Sequence, residues 1–185
     1  LAGYLSHPNK WWRTNAQRLL IDRNDSNAVS VIKDLLSTEQ LSPEGRIHCL
    51  WTLEGLGALP DGMLVNAFQN NHPEVRKQSV LMAESRLSNK GILQQVIQAS
   101  SDPDPYVQFQ VALTLGKVAK SDPDVFPALS KIISTHITDP WFRTAVLLGA
   151  SENANQWFDA FKGFRASDDS VLNGKKEFLH KITSI

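Results

Sequence analysis

The sequence predicts an all-α chain of stacked helix pairs, and three observations predict it. The stretch Ser101 to Ala119, SDPDPYVQFQVALTLGKVA, reads as a capped, Pro-started amphipathic helix. Four other stretches look like copies of it at nearly even spacing. Between the copies lie further segments with apolar residues at helical spacing. A unit of this kind buries its apolar stripe only against its neighbours, so repetition itself is the source of a core.

The central stretch sets the pattern. Asp102 or Asp104 can cap free N–H groups, and Pro105 suits a first helical turn, where its missing N–H is not needed. Val107, Val111, Ala112 and Leu115 follow at i, i+4, i+5 and i+8, on one helical face. Gln108, three residues after the proline, serves as the reference. Arg76 stands three after Pro73, Arg143 three after Pro140, and Arg46 three after Pro43. Arg13 follows Pro8 with two extra residues between. These anchors are separated by 33, 30, 32 and 35 residues. The residue before the anchor is large and apolar in four copies: Trp12, Val75, Val107 and Phe142. In the second copy an alternative register, shifted by three, would align Leu56-Gly57 with Leu115-Gly116.

The segments between the copies are Ala28 to Leu36, Gly62 to Phe68, Gly91 to Ala99, Val125 to Ile133 and Asn155 to Phe164. With them the chain makes about five helix pairs. Leu1 to Ser6 reads as the end of a preceding helix, with Leu1, Tyr4 and Leu5 on one face. Ser167 to Ser170 is a turn with a good cap, and Val171 to Ile182 reads as a closing helix. Its Leu172, Phe178, Leu179 and Ile182 are apolar, and its lysines face out.

The pattern DPxP-x-V-x-x-x-x-A-L-x-L-G is similar to the second helix of a HEAT repeat, and the resemblance covers nearly the whole chain. It implies a right-handed α-α superhelix, a HEAT-like solenoid, over 1–185 as a single domain. The positions that define the repeat are then Pro43, Pro73, Pro105, Pro140, Ala112 and Leu115. A narrower resemblance rests on LSHPNKWWRTNAQRLLIDR and GRIHCLWTLEGLGAL. These runs resemble the HEAT segment of large bacterial membrane-bound dehydrogenase-like proteins. There the segment follows a sorbosone-dehydrogenase-like β-propeller and precedes a c-type cytochrome domain. That resemblance implies a periplasmic or exported location. It also implies a piece excised from a larger protein, an expectation to which the start at Leu1 conforms.

Composition is that of an ordinary globular chain: 185 residues, 42% hydrophobic and 21% charged. Lys and Arg number 19, as do Asp and Glu, so the formal net charge is zero. A duplex-binding protein usually shows a basic excess or stripe, so nucleic acid is not expected as a partner. One cysteine, Cys49, excludes an intrachain disulfide and a four-cysteine metal site. There is no run of eighteen apolar residues to span a membrane and no signal peptide.

Several residues are candidates for contact with a partner: Trp11, Trp12, Arg13, Glu54, Arg76, Glu84 and Arg143. In Trp11-Trp12-Arg13, Trp12 reads as core and Trp11 as packing on another repeat; an aromatic-plus-Arg contact surface is the competing reading. The recurring Arg resembles the Asp/Arg pairing between adjacent HEAT repeats, each Arg bonding turn carboxylates or carbonyls of its neighbour. Its rival, an anion-binding stripe, is interrupted by Gln108. Glu54 and Glu84 lie eight residues after an anchor, where a carboxylate pair could serve as acid and base or hold a hard cation. A solvated or Arg-paired face explains them more simply. His7 and His72 share the slot before a proline, which turn chemistry explains better than zinc. Trp51, Trp141 and Trp157 are expected to carry packing between repeats.

No catalytic residue, cofactor site or metal site follows from these patterns. The expected function is a non-catalytic scaffold that binds protein: neighbouring domains of a parent chain, or a partner subunit. The narrower resemblance implies that it positions the dehydrogenase and cytochrome domains, with the oxidoreductase chemistry in those domains. The alternative is an enzyme resembling the HEAT-like alkylpurine DNA glycosylases. Zero net charge argues against it, and these patterns do not place the Trp/Asp/Arg trio of those enzymes on one surface.

Overall fold

A computed structural model describes residues 1–118, 122–149 and 154–184. Ala119, the last residue of the stretch that sets the pattern, lies outside them. The described residues hold eleven α-helices and no strand. The chain divides into two compact units, Leu1–Ser85 and Arg86–Ile185.

The first unit opens with a 3-10 turn, Ala2–Ser6, and continues with α1 (Lys10–Asp22), α2 (Ala28–Leu36), α3 (Pro43–Gly55), α4 (Asp61–Phe68) and α5 (Pro73–Ala83). Here α1 packs on α3 and α3 on α5, while α2 and α4 each pair with the helix that follows. The second unit holds α6 (Lys90–Gln98), α7 (Pro105–Gly116), α8 (Val125–Thr135), α9 (Pro140–Leu147), α10 (Ala154–Lys162) and α11 (Asp169–Ile182). In it α7 packs on α9 and α9 on α11.

Local chemistry explains where the helices start. Pro43, Pro73, Pro105 and Pro140 each open a helix. Ser42, His72, Asp104 and Asp139 precede them as N-caps whose side chains accept a backbone N–H. Because Pro43 takes this first position, the second copy keeps the unshifted register. At the other end of α3, Gly57 adopts φ of 64°. The Ala58 N–H then reaches back to the Leu53 carbonyl at 2.8 Å, closing the helix in the six-to-one pattern that favours glycine.

The repeat positions form the core. Val75, Val80, Val107, Val111, Ala112 and Leu115 are all completely buried. Each large aliphatic side chain so buried stabilises the fold by about 1.5–3 kcal/mol. Trp157, Phe161 and Phe178 form an aromatic cluster between α10 and α11, with ring centroids 5.4 Å apart for Trp157–Phe178 and Phe161–Phe178. Trp51 packs half-buried and bridges α3 to α5 through a 2.8 Å bond from its Nε1 to Gln78 Oε1.

Four sequence expectations need correction. Trp11, expected to pack on another repeat, is 61% exposed. Trp12 is not core: it is 43% exposed and stacks on Tyr4 at 5.2 Å. Trp141 does not pack between repeats, being 73% exposed. Finally, the α11 lysines do not all face out. Lys175 is half-buried, and its Nζ donates to the Phe164 carbonyl at 3.1 Å.

Close approach, not conformation, explains Gly174 in α11. A Cβ there would lie 2.3 Å from the Ile137 carbonyl oxygen, where backbone and not a flexible side chain stands in the way. In an exposed helix interior Gly→Ala stabilises by up to about 1 kcal/mol. Gly174→Ala is expected to do the reverse and destabilise by roughly 1–3 kcal/mol. Urea denaturation checks this, and an equally stable variant would show that α11 approaches the turn before α9 less closely than described.

Candidate protein-interaction surface

The anchor side chains do one job throughout. Arg13 Nη1 donates to the carbonyls of His7 and Pro8 at 2.7 and 2.8 Å. Arg46 reaches Leu36 at 2.8 Å and Thr38 at 3.1 Å. Arg76 reaches Asn70 at 2.8 Å and Asn71 at 3.1 Å. Arg143 Nη1 reaches Ile137 at 2.7 Å. Every acceptor lies in the turn leading into the anchor's own helix, at or just past the carbonyl end of the preceding one. A guanidinium there satisfies carbonyls left without an intrahelical partner and meets the negative end of a helix dipole.

The pairing between neighbouring repeats expected from sequence is therefore corrected: the Arg row ties each pair to itself. Arg143 also crosses to the next pair, through a 2.6 Å bond from Nη2 to Glu177 Oε2 on α11. Arg13 and Arg143 are only 8% and 6% exposed. Buried and committed to carbonyls, they present no charge for an anion or a partner.

Gln108 is explained by the same geometry. Its Nε2 donates to the Asp102 carbonyl at 2.6 Å, as an anchor Arg would. Its Oε1 also bonds His136 Nε2 at 2.7 Å, and a guanidinium has no acceptor with which to do so. His136 stacks on Phe142 with centroids 3.9 Å apart, and burial holds its pKa below the ordinary value. His48 is likewise held down by burial, mainly, and bonds Gln17 Oε1 at 2.6 Å.

The remaining titratable candidates serve structure. His7 Nδ1 accepts the Asn9 N–H at 3.0 Å and His72 Nδ1 the Glu74 N–H at 3.2 Å, so both histidines organise turns. Glu54 accepts a long bond from Ser85 Oγ at 3.4 Å, and Glu84 follows the end of α5. Among the described residues no group of three His, Cys, Asp or Glu side chains could hold a metal ion. Cys49 is completely buried, and burial pushes its thiol up to about 12, far from a reactive thiolate.

Several aromatic side chains are left exposed. Two residues before the anchor stand Trp11, Tyr106 and Trp141, at 61%, 73% and 73% exposure. Glu44 and Glu74 hold that place in α3 and α5. In the first unit Trp11 meets Trp12 edge-on at 4.8 Å, beside an open cavity of about 400 Å³ shared with Tyr4 and Leu19. In the second unit Tyr106 and Trp141 flank a groove of about 490 Å³. Phe109 and Phe142 meet there edge-to-face at 5.2 Å, and Pro105 and Asp139 complete the lining. Tyr106 was not singled out in the sequence; its place two residues before Gln108, matching Trp11 and Trp141, is the signal that could have found it.

A family model described as HEAT repeats matches residues 59–151, about half of the chain. The chain belongs to the HEAT-repeat family. Crystal structures of two engineered proteins from the Northeast Structural Genomics Consortium have the same helical architecture. One is 15% identical, covering 99% of this chain and 95% of that one, with a TM-score of 0.52. The other is 16% identical, covering 100% and 97%, with a TM-score of 0.59. At these identities the likeness concerns the fold alone. No curated protein matches the chain. In the language of HEAT repeats, α3, α5, α7 and α9 are second helices, and the exposed aromatic position lies in their first turn or that of α1. No helix among the described residues is long and apolar enough to cross a membrane.

Two predictions follow from the anchors and histidines. Arg76→Ala is expected to destabilise by roughly 1–3 kcal/mol in urea denaturation, because two turn carbonyls lose their donor. Partner capture by the folded variant stays unchanged; a loss of capture at unchanged stability would make Arg76 a contact residue. The second concerns pH. His48 and His136 resist protonation in the folded state, so their contribution is complete above the unfolded value of 6.5 and declines as pH falls below it. The melting temperature should therefore drop as pH goes from about 7.5 to about 5.5, and less steeply in His48→Gln/His136→Gln. Equal slopes would show that neither ring is held neutral.

Proposed function

We propose that this HEAT-repeat chain is a non-catalytic scaffold that binds and positions protein partners through the aromatic side chains in the first turns of its helices. The observation that carries this reading is an inversion. Charged Arg13 and Arg143 are buried, while Trp11 and Trp141, two residues earlier, stand in water. Exposed indole and phenol groups supply large apolar area at small entropic loss, and clusters of them mark interaction sites. The anchor arginines, His7, His72 and Cys49 support the non-catalytic part, since they hold carbonyls, organise turns or lie buried.

The narrower part of the proposal concerns the partners. The runs LSHPNKWWRTNAQRLLIDR and GRIHCLWTLEGLGAL resemble the HEAT segment that joins a propeller dehydrogenase to a c-type cytochrome. We propose that domains of those two kinds are what this chain holds, in the periplasm or outside the cell. Electron transfer depends on holding redox centres at fixed separation, which a stack of rigid helix pairs can do.

The test is capture from extract of the natural source, comparing the native chain with Trp11→Ala/Tyr106→Ala/Trp141→Ala. These side chains are largely exposed, so melting is expected to shift by no more than about 1 kcal/mol in stability. The native chain should recover a propeller or cytochrome protein that the triple variant does not. Identical recoveries would remove the aromatic surface from the function. Recovery of nucleic acid, released steeply by salt, would overturn the protein-scaffold reading.

A further inference from the structure

We propose that the groove between α7 and α9 binds a proline-rich segment of a partner protein in the polyproline II conformation, with a Lys or Arg of that segment beside Asp139. The inference rests on the scaffold reading and names the chemistry of one partner site.

The spacing argues for this conformation. Tyr106 and Trp141 occupy the same position, two residues before the anchor, on helices that pack side by side. Axes of packed helices lie roughly 8–10 Å apart. A polyproline II strand rises about 3.1 Å per residue with three residues per turn, so equivalent side chains recur about every 9 Å. Prolines three apart thus meet successive aromatic flanks. Addition of a strand needs a sheet edge, and the described residues contain no strand.

The lining argues for proline. Phe109 and Phe142 give the groove an apolar body, and Pro105 adds a rigid apolar ring. The Trp141 indole N–H and Tyr106 hydroxyl are donors, and polyproline II carries its carbonyls solvated and free to accept. Pyrrolidine rings pack on aromatic faces with little rotamer entropy to lose, which suits a shallow site.

Charge argues for the basic residue. Among the residues that line the groove Asp139 is charged, and none is Lys or Arg. Arg143, just beyond, is buried against Ile137 and Glu177 and offers no competing cation. Asp139 lines the groove directly. Its Oδ1 caps α9 through the Trp141 N–H at 2.8 Å, so the helix dipole offsets part of its charge. The ion pair therefore orients the segment more than it tightens binding.

The test is a fluorescence-anisotropy titration of the whole chain with a dye-labelled peptide of about eight prolines and one central arginine. Two controls accompany it: an all-proline peptide, and a Gly/Ser peptide of equal length with one arginine. Saturable binding to the proline peptides is expected, with Trp141→Ala and Tyr106→Ala each weakening it by about tenfold or more. Asp139→Asn keeps a capping side chain. It is expected to weaken the arginine-containing proline peptide by about two- to fivefold and to leave the all-proline peptide unchanged. The proposal is overturned if the Gly/Ser peptide binds equally well, if Trp141→Ala has no effect, or if nothing binds up to about 1 mM. Should the proline peptides fail while Trp141-dependent capture of a protein persists, the groove has another occupant and the scaffold stands. Should both fail, the scaffold reading falls with it.

Discussion

Every turn that carries an anchor depends on one interaction: a planar donor set three residues into a helix that holds the carbonyls of the turn leading into it. Arg13, Arg46, Arg76 and Arg143 do this with guanidinium groups, and Gln108 with an amide. A turn between antiparallel helices leaves carbonyls at the end of the first helix without partners. A proline at the start of the second removes one donor that might have helped. The anchor supplies the missing donors from within the same pair. Each pair thereby has a set angle between its helices before it meets its neighbours, and stacking needs only apolar faces of matching shape.

That arrangement has a consequence for the surface. With the anchor turned inward, the residue two positions earlier lies on the opposite side of the first turn, where the interior cannot reach it. The place is filled by Trp11, Glu44, Glu74, Tyr106 and Trp141. The acidic members there suit a helix N-terminus and need no further account. The aromatic members do, since the fold gains nothing from an indole 73% exposed. Their position is free to vary without disturbing the repeat, which makes it a place where binding can be specified independently of stability.

Much of the fold was legible in the sequence because its signals are local. Proline at the first position, Ser, His or Asp before it, and apolar residues at i, i+4 and i+8 placed α3, α5, α7 and α9 by residue number. The candidate site was less legible. Trp12 reads as core in the sequence because Val75, Val107 and Phe142 share its slot. That slot's burial depends on a packed layer on the far side, and at Trp12 there is instead a stack on Tyr4. Trp141 reads as packing because large apolar side chains usually pack, though its slot is that of Tyr106 and Trp11. Counting two back from each anchor would have grouped the three.

The sequence by itself determined the repeat, its period and most of the helix starts and apolar stripes, because helical spacing and capping are properties of neighbours in the chain. Only the tertiary structure decided which acceptors the anchors take, why Gln108 can replace Arg, why α11 needs Gly174, and which aromatics stay in water. Each of these depends on what another segment brings to within hydrogen-bond or van der Waals distance: His136 beside Gln108, Ile137 over Gly174, Glu177 against Arg143. Such approaches are set by packing, and periodicity does not carry them.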